Sequence, residues 1–210
     1  MGGIVRQNRE FFKIVIDTVK LCGRQNFALR GHRDSGPLSV NDGDFESGIN
    51  EGNFRALLRY KVSSGDKILL DHIKTSPRNA TYISWQVQNE IINLYESNIR
   101  QCIVNKVKDA VFYSVLADET SDVSLIEQLS ICVRYVEVAN DNKPEIREDF
   151  LGFVAVENMS GHALANSIIE TLKMWGLDLS NLRGQGYDGA ANMAMQFRGV
   201  QAHRYINGRM

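Results

Sequence analysis

Two aspartates in the second half of this chain stand where a divalent metal could be held. Asp118 directly follows an uninterrupted apolar run, Val111-Phe112-Tyr113-Ser114-Val115-Leu116-Ala117, and Asp188 sits in the glycine-rich segment Gly184-Gln185-Gly186-Tyr187-Asp188-Gly189. If the two segments are neighbouring strands of one sheet, about 4.8 Å apart, both carboxylates reach the same edge. Oxygen ligands held that way suit Mg²⁺ or Mn²⁺ and the phosphoryl-transfer chemistry those ions support. A plainer role for Asp118 is a strand-end carboxylate capping the turn Asp118-Glu119-Thr120-Ser121-Asp122. Glu119 and Asp122 read as turn or cap residues rather than ligands. The second segment also fits G-x-G-x-x-G, but no β-α-β unit opens the chain, so a dinucleotide cradle is not expected. The glycines are expected to let the backbone turn tightly beside Asp188.

The elements that must position these acids follow from periodicity. Phe11, Phe12, Val15, Ile16, Val19 and Cys22 recur at helical spacing within Asn8 to Cys22, closed by Gly23. Arg30 to Gly52 is rich in Gly, Asp, Ser and Asn and reads as a flexible loop or linker. A second helix starts near Asn53 with Phe54, Leu57, Leu58 and Tyr60, and Ser63-Ser64-Gly65 breaks it before Ile68, Leu69 and Leu70. Beyond Pro77, a long helix from about Ser84 to Asp109 carries Val87, Ile91, Leu94, Tyr95, Ile99, Cys102, Ile103 and Val107 as one apolar stripe.

The pattern changes at Val111. Val111–Ala117 suits a strand buried on both faces. Gln128–Val138 alternates, with Leu129, Ile131, Val133 and Tyr135 on one side. Ile146–Val156 predicts a third strand, with Phe150, Gly152 and Val154 opposite Leu151, Phe153 and Ala155. Ser160 can cap a helix through Lys173 that Gly176 terminates. Leu182–Tyr187 is a candidate fourth strand, and Gly189 to about Tyr205 is helical in character. Three strands joined by short turns imply an antiparallel meander, after which the helix permits a crossover laying the fourth strand parallel to the first. The expected fold class is α/β: a partial ribonuclease H-like fold of order βββαβα, preceded by helices. The expected divisions are a helical region at 1–82 with its loop at about 30–52, a connecting helix at 83–110, and an incomplete ribonuclease H-like domain at 111–210. Trp85, Trp175, Tyr95 and Phe153 are expected in the core, and His162 and His203 on the surface.

Charge and cysteine usage exclude several classes. A formal net charge of −1 gives no overall pull toward nucleic acid, so such contact would need a local patch. Arg6, Arg9, Lys13, Lys20, Arg24, Arg30 and Arg33 against only Glu10 and Asp17 form one, although a solvated helix face has the same composition. Cys22, Cys102 and Cys132 fit no disulfide framework, and with His32, His72, His162 and His203 they are too scattered for a zinc site. No signal peptide is legible, and no apolar run reaches the roughly 20 residues of a membrane span. The expectation is an intracellular chain with no membrane contact and no small-molecule substrate.

Several stretches together resemble transposases of the hAT (hobo/Activator-type) superfamily, in the branch that includes domesticated zinc finger MYM-type and THAP-type relatives. They are Leu29-Arg30-Gly31-His32-Arg33, Gly52-Asn53-Phe54, Ser76-Pro77-Arg78-Asn79-Ala80-Thr81-Tyr82, Leu116-Ala117-Asp118-Glu119-Thr120-Ser121-Asp122, Glu127-Gln128-Leu129-Ser130 and Phe150-Leu151-Gly152-Phe153. Leu182-Arg183-Gly184-Gln185-Gly186-Tyr187-Asp188-Gly189-Ala190-Ala191-Asn192-Met193 and Gly199-Val200-Gln201-Ala202 complete the order. The resemblance implies a ribonuclease H-like core whose Asp-Asp-Glu triad binds Mg²⁺ or Mn²⁺ to cut and rejoin DNA. By motif match Asp118 is its first acid and Asp188 its second, both catalytic and metal-binding in the ancestral role. The family's third acid comes after an inserted helical domain, beyond these 210 residues. The chain is therefore expected to be a truncated, transposon-derived protein without strand cleavage of its own and, given the resemblance, nuclear. The alternatives are an interaction module binding a protein partner or a parental transposase, and a nuclease taking a third acid in trans.

Overall fold

The computed structural model describes residues 2–40, 50–77, 80–121, 126–138, 143–158 and 160–187. Their order is α1 (Gly2–Arg24), α2 (Asn53–Ser63), α3 (Lys67–Thr75), α4 (Trp85–Ala110), β1 (Tyr113–Ser121), β2 (Glu127–Val138), β3 (Pro144–Ala155), α5 (Gly161–Met174), a 3-10 turn (Leu179–Asn181) and β4 (Leu182–Tyr187). The fold is mixed α/β, as the sequence predicts, with helices leading into a four-stranded sheet of order β3-β2-β1-β4. The expected helix from Gly189 to about Tyr205 lies outside the described residues. Chain contacts separate two compact units, Met1–Glu96 and Ser97–Met210.

In the first unit the repeat Phe11, Val15, Val19 and Cys22 buries one stripe of α1. The first three pack with Phe54 and Leu58 of α2, Leu69 of α3, Ile91 of α4, and Leu38 and Ile83 from the connections. Gly65, at φ +95, breaks α2 from α3 where the serine-glycine cluster predicts it, and Asp66 Oδ1 caps α3 by accepting from Leu69 N at 3.0 Å. A buried cation that no periodicity signals lies among these helices. Arg55 is 3% exposed. Its Nε donates to Glu51 Oε2 at 2.9 Å, its Nη1 to the carbonyls of Asp34 and Gly36, and its Nη2 to that of Pro37 at 2.9 Å. Arg59 Nε donates to the Ser39 carbonyl at 2.7 Å, and Arg59 also pairs with Glu51. Residues 34–39, which form no helix or strand, thus find their hydrogen bonds in two guanidinium groups of α2.

In the second unit the core lies on one side of the sheet. Tyr113, Val115 and Ala117 of β1 and Leu129, Ile131, Val133 and Tyr135 of β2 pack against Val104 and Val107 of α4 and Leu164, Ala165, Ile168 and Leu172 of α5. Each such aliphatic side chain contributes about 1.5–3 kcal/mol when fully buried. Burial, and then the bond its hydroxyl donates to Asp149 Oδ2 at 2.6 Å, raise the proton affinity of Tyr135.

Four expectations are corrected here. The strand does not begin at Val111: that residue takes φ +65, a left-handed conformation rare for a β-branched side chain, and ends the helix. β1 is not buried on both faces among the described residues: both packed helices lie on one, and Ser114 and Leu116 on the other are only half-buried. Nor does β3 alternate simply. Cys132 pairs with Phe150 and Ile131 with Gly152, leaving Leu151 as the extra residue of a β-bulge. The bulge turns Leu151 inward and puts Phe150 and Phe153, expected on opposite faces, side by side in an edge-to-face contact at 4.9 Å. Finally, Phe153 and Trp85 are exposed rather than core, and Leu94, Ile99 and Cys102 break the expected stripe of α4. One stripe cannot serve a helix whose Ile91 and Tyr95 belong to one core and whose Val104 and Val107 belong to another.

Candidate functional site

Asp118 lies within β1 rather than after it, since the strand continues to Ser121. Its Cα partner on β2 is Ser130, whose hydroxyl donates to the Asp118 carbonyl at 3.2 Å. Glu119 is likewise a strand residue, paired with Leu129, not part of a turn. The Asp118 side chain is exposed and shares the open face of the sheet with Leu116, the face turned away from α4 and α5. Asp122 and Asp188 lie outside the described residues.

The neighbour of β1 on its other side is β4, in parallel, as the crossover through α5 predicts. Ser114 pairs with Gly184, Leu116 with Gly186 and Ala117 with Tyr187. In sequence, Asp118 directly follows one member of that last pair and Asp188 the other. A Cβ on Gly184 would lie 2.7 Å from Ser114 Oγ, and one on Gly186 would lie 2.7 Å from Leu116 Cδ2. These glycines therefore serve close approach inside a strand, not a tight turn. They leave room for two β1 side chains to lean across β4. Arg183, the cation of β4, is held near the amino ends of the two strands, over the Phe112 ring at 4.1 Å and donating to the Ser180 carbonyl at 2.6 Å.

Carboxylate oxygen is the right donor for Mg²⁺ or Mn²⁺, and Asp118 offers one on an accessible strand. Among the described residues no three His, Cys, Asp or Glu side chains come together as metal ligands would. None of the described helices is long and apolar enough to cross a membrane.

The basic residues of α1 form the other candidate surface. Arg6, Arg9, Lys13, Lys20 and Arg24 are all exposed, and with Glu10 and Asp17 they follow one another at helical spacing. Arg6 Nε pairs with Glu10 Oε1 at 3.3 Å. Arg30 is not part of that stripe: it bonds to Asn89 and to the Trp85 carbonyl.

An antiparallel meander followed by a helical crossover to a parallel fourth strand, with an acid on the central strand, defines an RNase-like architecture. The chain belongs to the DUF4371 family, the ZMYM1/FAM200, RNase-like domain, whose model matches residues 4–199. It is 29% identical over 182 residues to the "52 kDa repressor of the inhibitor of the protein kinase" of Homo sapiens and 31% identical over 183 residues to the Mus musculus protein of that name. These alignments cover 87% of this chain but only 22% and 23% of the two relatives, so the chain spans less than a quarter of their length.

Proposed function

We propose that these residues are the first part of a hAT-type, transposon-derived ribonuclease H-like core, related to the domesticated zinc finger MYM-type and THAP-type proteins. In it Asp118 and Asp188 are the first two metal-binding acids. The observation that carries this reading is the parallel pairing of Ala117 with Tyr187, each followed in sequence by one of the two aspartates. When bound, Mg²⁺ or Mn²⁺ would polarise a phosphodiester and the water or hydroxyl attacking it. Asp118 and Asp188 would supply anionic oxygens for the ion. Two acids are one short of the triad that the resemblance implies, so the 210-residue chain is expected to bind the ion weakly and to leave DNA uncut. Paramagnetic broadening by Mn²⁺ tests this, read at the amide signals of β1 and β4. Broadening should centre on residues 117–119 and be lost in both Asp118→Asn and Asp188→Asn. Broadening elsewhere, or unchanged in either variant, removes the metal-site reading.

DNA is the partner this reading carries, through phosphates along α1. The cations from Arg6 to Arg24 extend over about 27 Å of helix at 1.5 Å per residue. Binding to a labelled duplex is expected to weaken linearly on a log-log plot against salt, with a smaller slope for Lys13→Glu with Lys20→Glu. No duplex binding at low salt, or an unchanged slope, marks the stripe as a solvated face. The relatives' printed name, that of a repressor of an inhibitor, favours a second reading: a protein-interaction module in which the metal edge is a remnant. Retained binding of a stoichiometric protein partner by the Asp118→Asn chain would favour it. The proposed location is the nucleus.

A further inference from the structure

Leu116 lies two residues before Asp118 on the same face of β1, half-buried where Asp118 is exposed. Its pairing partner on β4 is Gly186, which stands two residues before Asp188 in the sequence. The leucine leans out of line with its own strand. Its Cδ2 lies 2.7 Å from the point a Cβ of Gly186 would occupy, so one side chain fills the place of two. On the other side the residue opposite Leu116 is Cys132 of β2, a same-face neighbour with its Cβ about 5 Å away. A Cβ at position 186 would therefore close the direction in which Leu116 leans, while Cys132 takes up the opposite one. What remains is the line of β1 itself, where the next same-face positions, Ser114 and Asp118, lie about 6.7 Å to either side. Ser114 is half-buried and Asp118 exposed, so the room is on the carboxylate's side.

We infer that Leu116 is a positioning residue of the metal edge, and that Gly186 is the berth that keeps it off the Asp118 carboxylate. Mg²⁺ gives up its waters reluctantly and keeps several of them when bound. A methyl group lying over the carboxylate takes the volume those waters need. The loss then falls on ion affinity rather than on folding, because the atom in the way is the free end of a side chain and not backbone. Gly184 offers the contrast: a Cβ there would meet Ser114 Oγ at 2.7 Å, four residues from Asp118, and would leave Leu116 where it is. The inference rests on the reading of Asp118 as a metal ligand and adds to it what keeps that ligand accessible.

A Mn²⁺ titration of the 210-residue chain, followed by broadening of the amide signals of residues 117–119, tests it. Gly186→Ala should weaken binding by about tenfold or more, the effect expected when a group supporting a metal ligand is altered, with little change in the thermal midpoint. Leu116→Ala alone should bind at least as well as the unsubstituted chain, and combined with Gly186→Ala it should restore the lost affinity. Gly184→Ala should leave affinity unchanged. Undiminished binding by Gly186→Ala, an equal loss in Gly184→Ala, or no recovery in the double variant overturns the inference. Two failures are told apart by the unsubstituted chain. Broadening absent from residues 117–119 there removes the metal reading and this inference with it, whereas broadening present but indifferent to Gly186→Ala removes this inference alone. If Gly186→Ala fails to fold, Leu116→Phe decides. Its ring outgrows the berth and should weaken binding likewise, and undiminished affinity is then the overturning result.

Discussion

Replacing Arg55 by methionine is expected to lower the stability of the first unit by about 3–5 kcal/mol, the range found when one partner of a buried ion pair is removed. The guanidinium is 3% exposed and serves Glu51 together with three backbone carbonyls. Methionine would fill much of the space but leave a largely buried carboxylate with Arg59 only, and three acceptors without their donor. Arg59 should not compensate, since its own Nε is engaged by the Ser39 carbonyl. Urea unfolding followed by Trp85 fluorescence, in a Trp175→Phe background, isolates this unit because the chain has two tryptophans. Adding Glu51→Met should recover part of the loss. A cost under about 1 kcal/mol would mean that the guanidinium is solvated and that its carbonyl contacts count for little.

Gly52→Ala is expected to cost about 3 kcal/mol or more, because two effects combine there. Gly52 has φ +84, and a Cβ on it would lie 2.4 Å from Gly31 N and 2.5 Å from the Arg30 carbonyl carbon. Both are backbone atoms, which cannot rotate away as a side chain can. Gly65→Ala isolates the conformational part: its φ is +95, but nothing lies within 4 Å of its Cβ position. That change should cost about 1 kcal/mol. The same urea titration reads both, and similar midpoints for the two variants would show that the chain at Gly31 yields. Gly31→Ala should behave like Gly52→Ala, since its own Cβ would meet Gly52 N at 2.4 Å.

This contact explains what two of the motifs do. Leu29-Arg30-Gly31-His32-Arg33 and Gly52-Asn53-Phe54 carry the resemblance from separate places in the sequence, yet Phe54 N donates to the Leu29 carbonyl at 3.1 Å and the two glycines meet backbone to backbone. Both motifs admit a close crossing of the chain there. Such a crossing has no period and so leaves no trace in hydrophobic patterning. The elements that do have a period were legible: the i, i+4 repeat of α1, the alternation of β2, and the turn glycine at position 65. The order of the sheet followed from connection lengths, because short links force neighbours to pair antiparallel and a helix lets the fourth strand return parallel.

What failed to show was whatever depends on the other face of an element. The run 111–117 is apolar at six of its seven positions, yet it is a strand for only five of them and buried on one side. Apolar composition alone does not tell a buried second face from one left open. The bulge at Leu151 is a single extra residue, and a one-residue slip moves each later side chain to the opposite face. Arg55 was silent because burial of a cation depends on carbonyls that arrive from residues 34–37. At the candidate site the parallel pairing of β4 with β1 could be anticipated. The setting of Asp118 inside the strand, opposite Ser130, could not, because the turn-like run after it gives no sign that pairing continues to Ser121.

The pairing of β1 with β4 also bears on how the second unit comes to be folded. β2 finds β1 and β3 finds β2 through short links, so the meander can zip from local contacts within microseconds of collapse. β4 must find β1 across about 70 residues of chain, and closing so long a loop costs entropy before any contact rewards it. During synthesis the meander and α5 have emerged before Leu182 leaves the ribosome, with the inner strand still exposing its second edge. Among the described strands, the β1–β4 pairing is therefore assembled after the meander. A nascent chain halted before Leu182 would hold the β1–β3 meander and α5 but leave the β1 edge that β4 pairs with open.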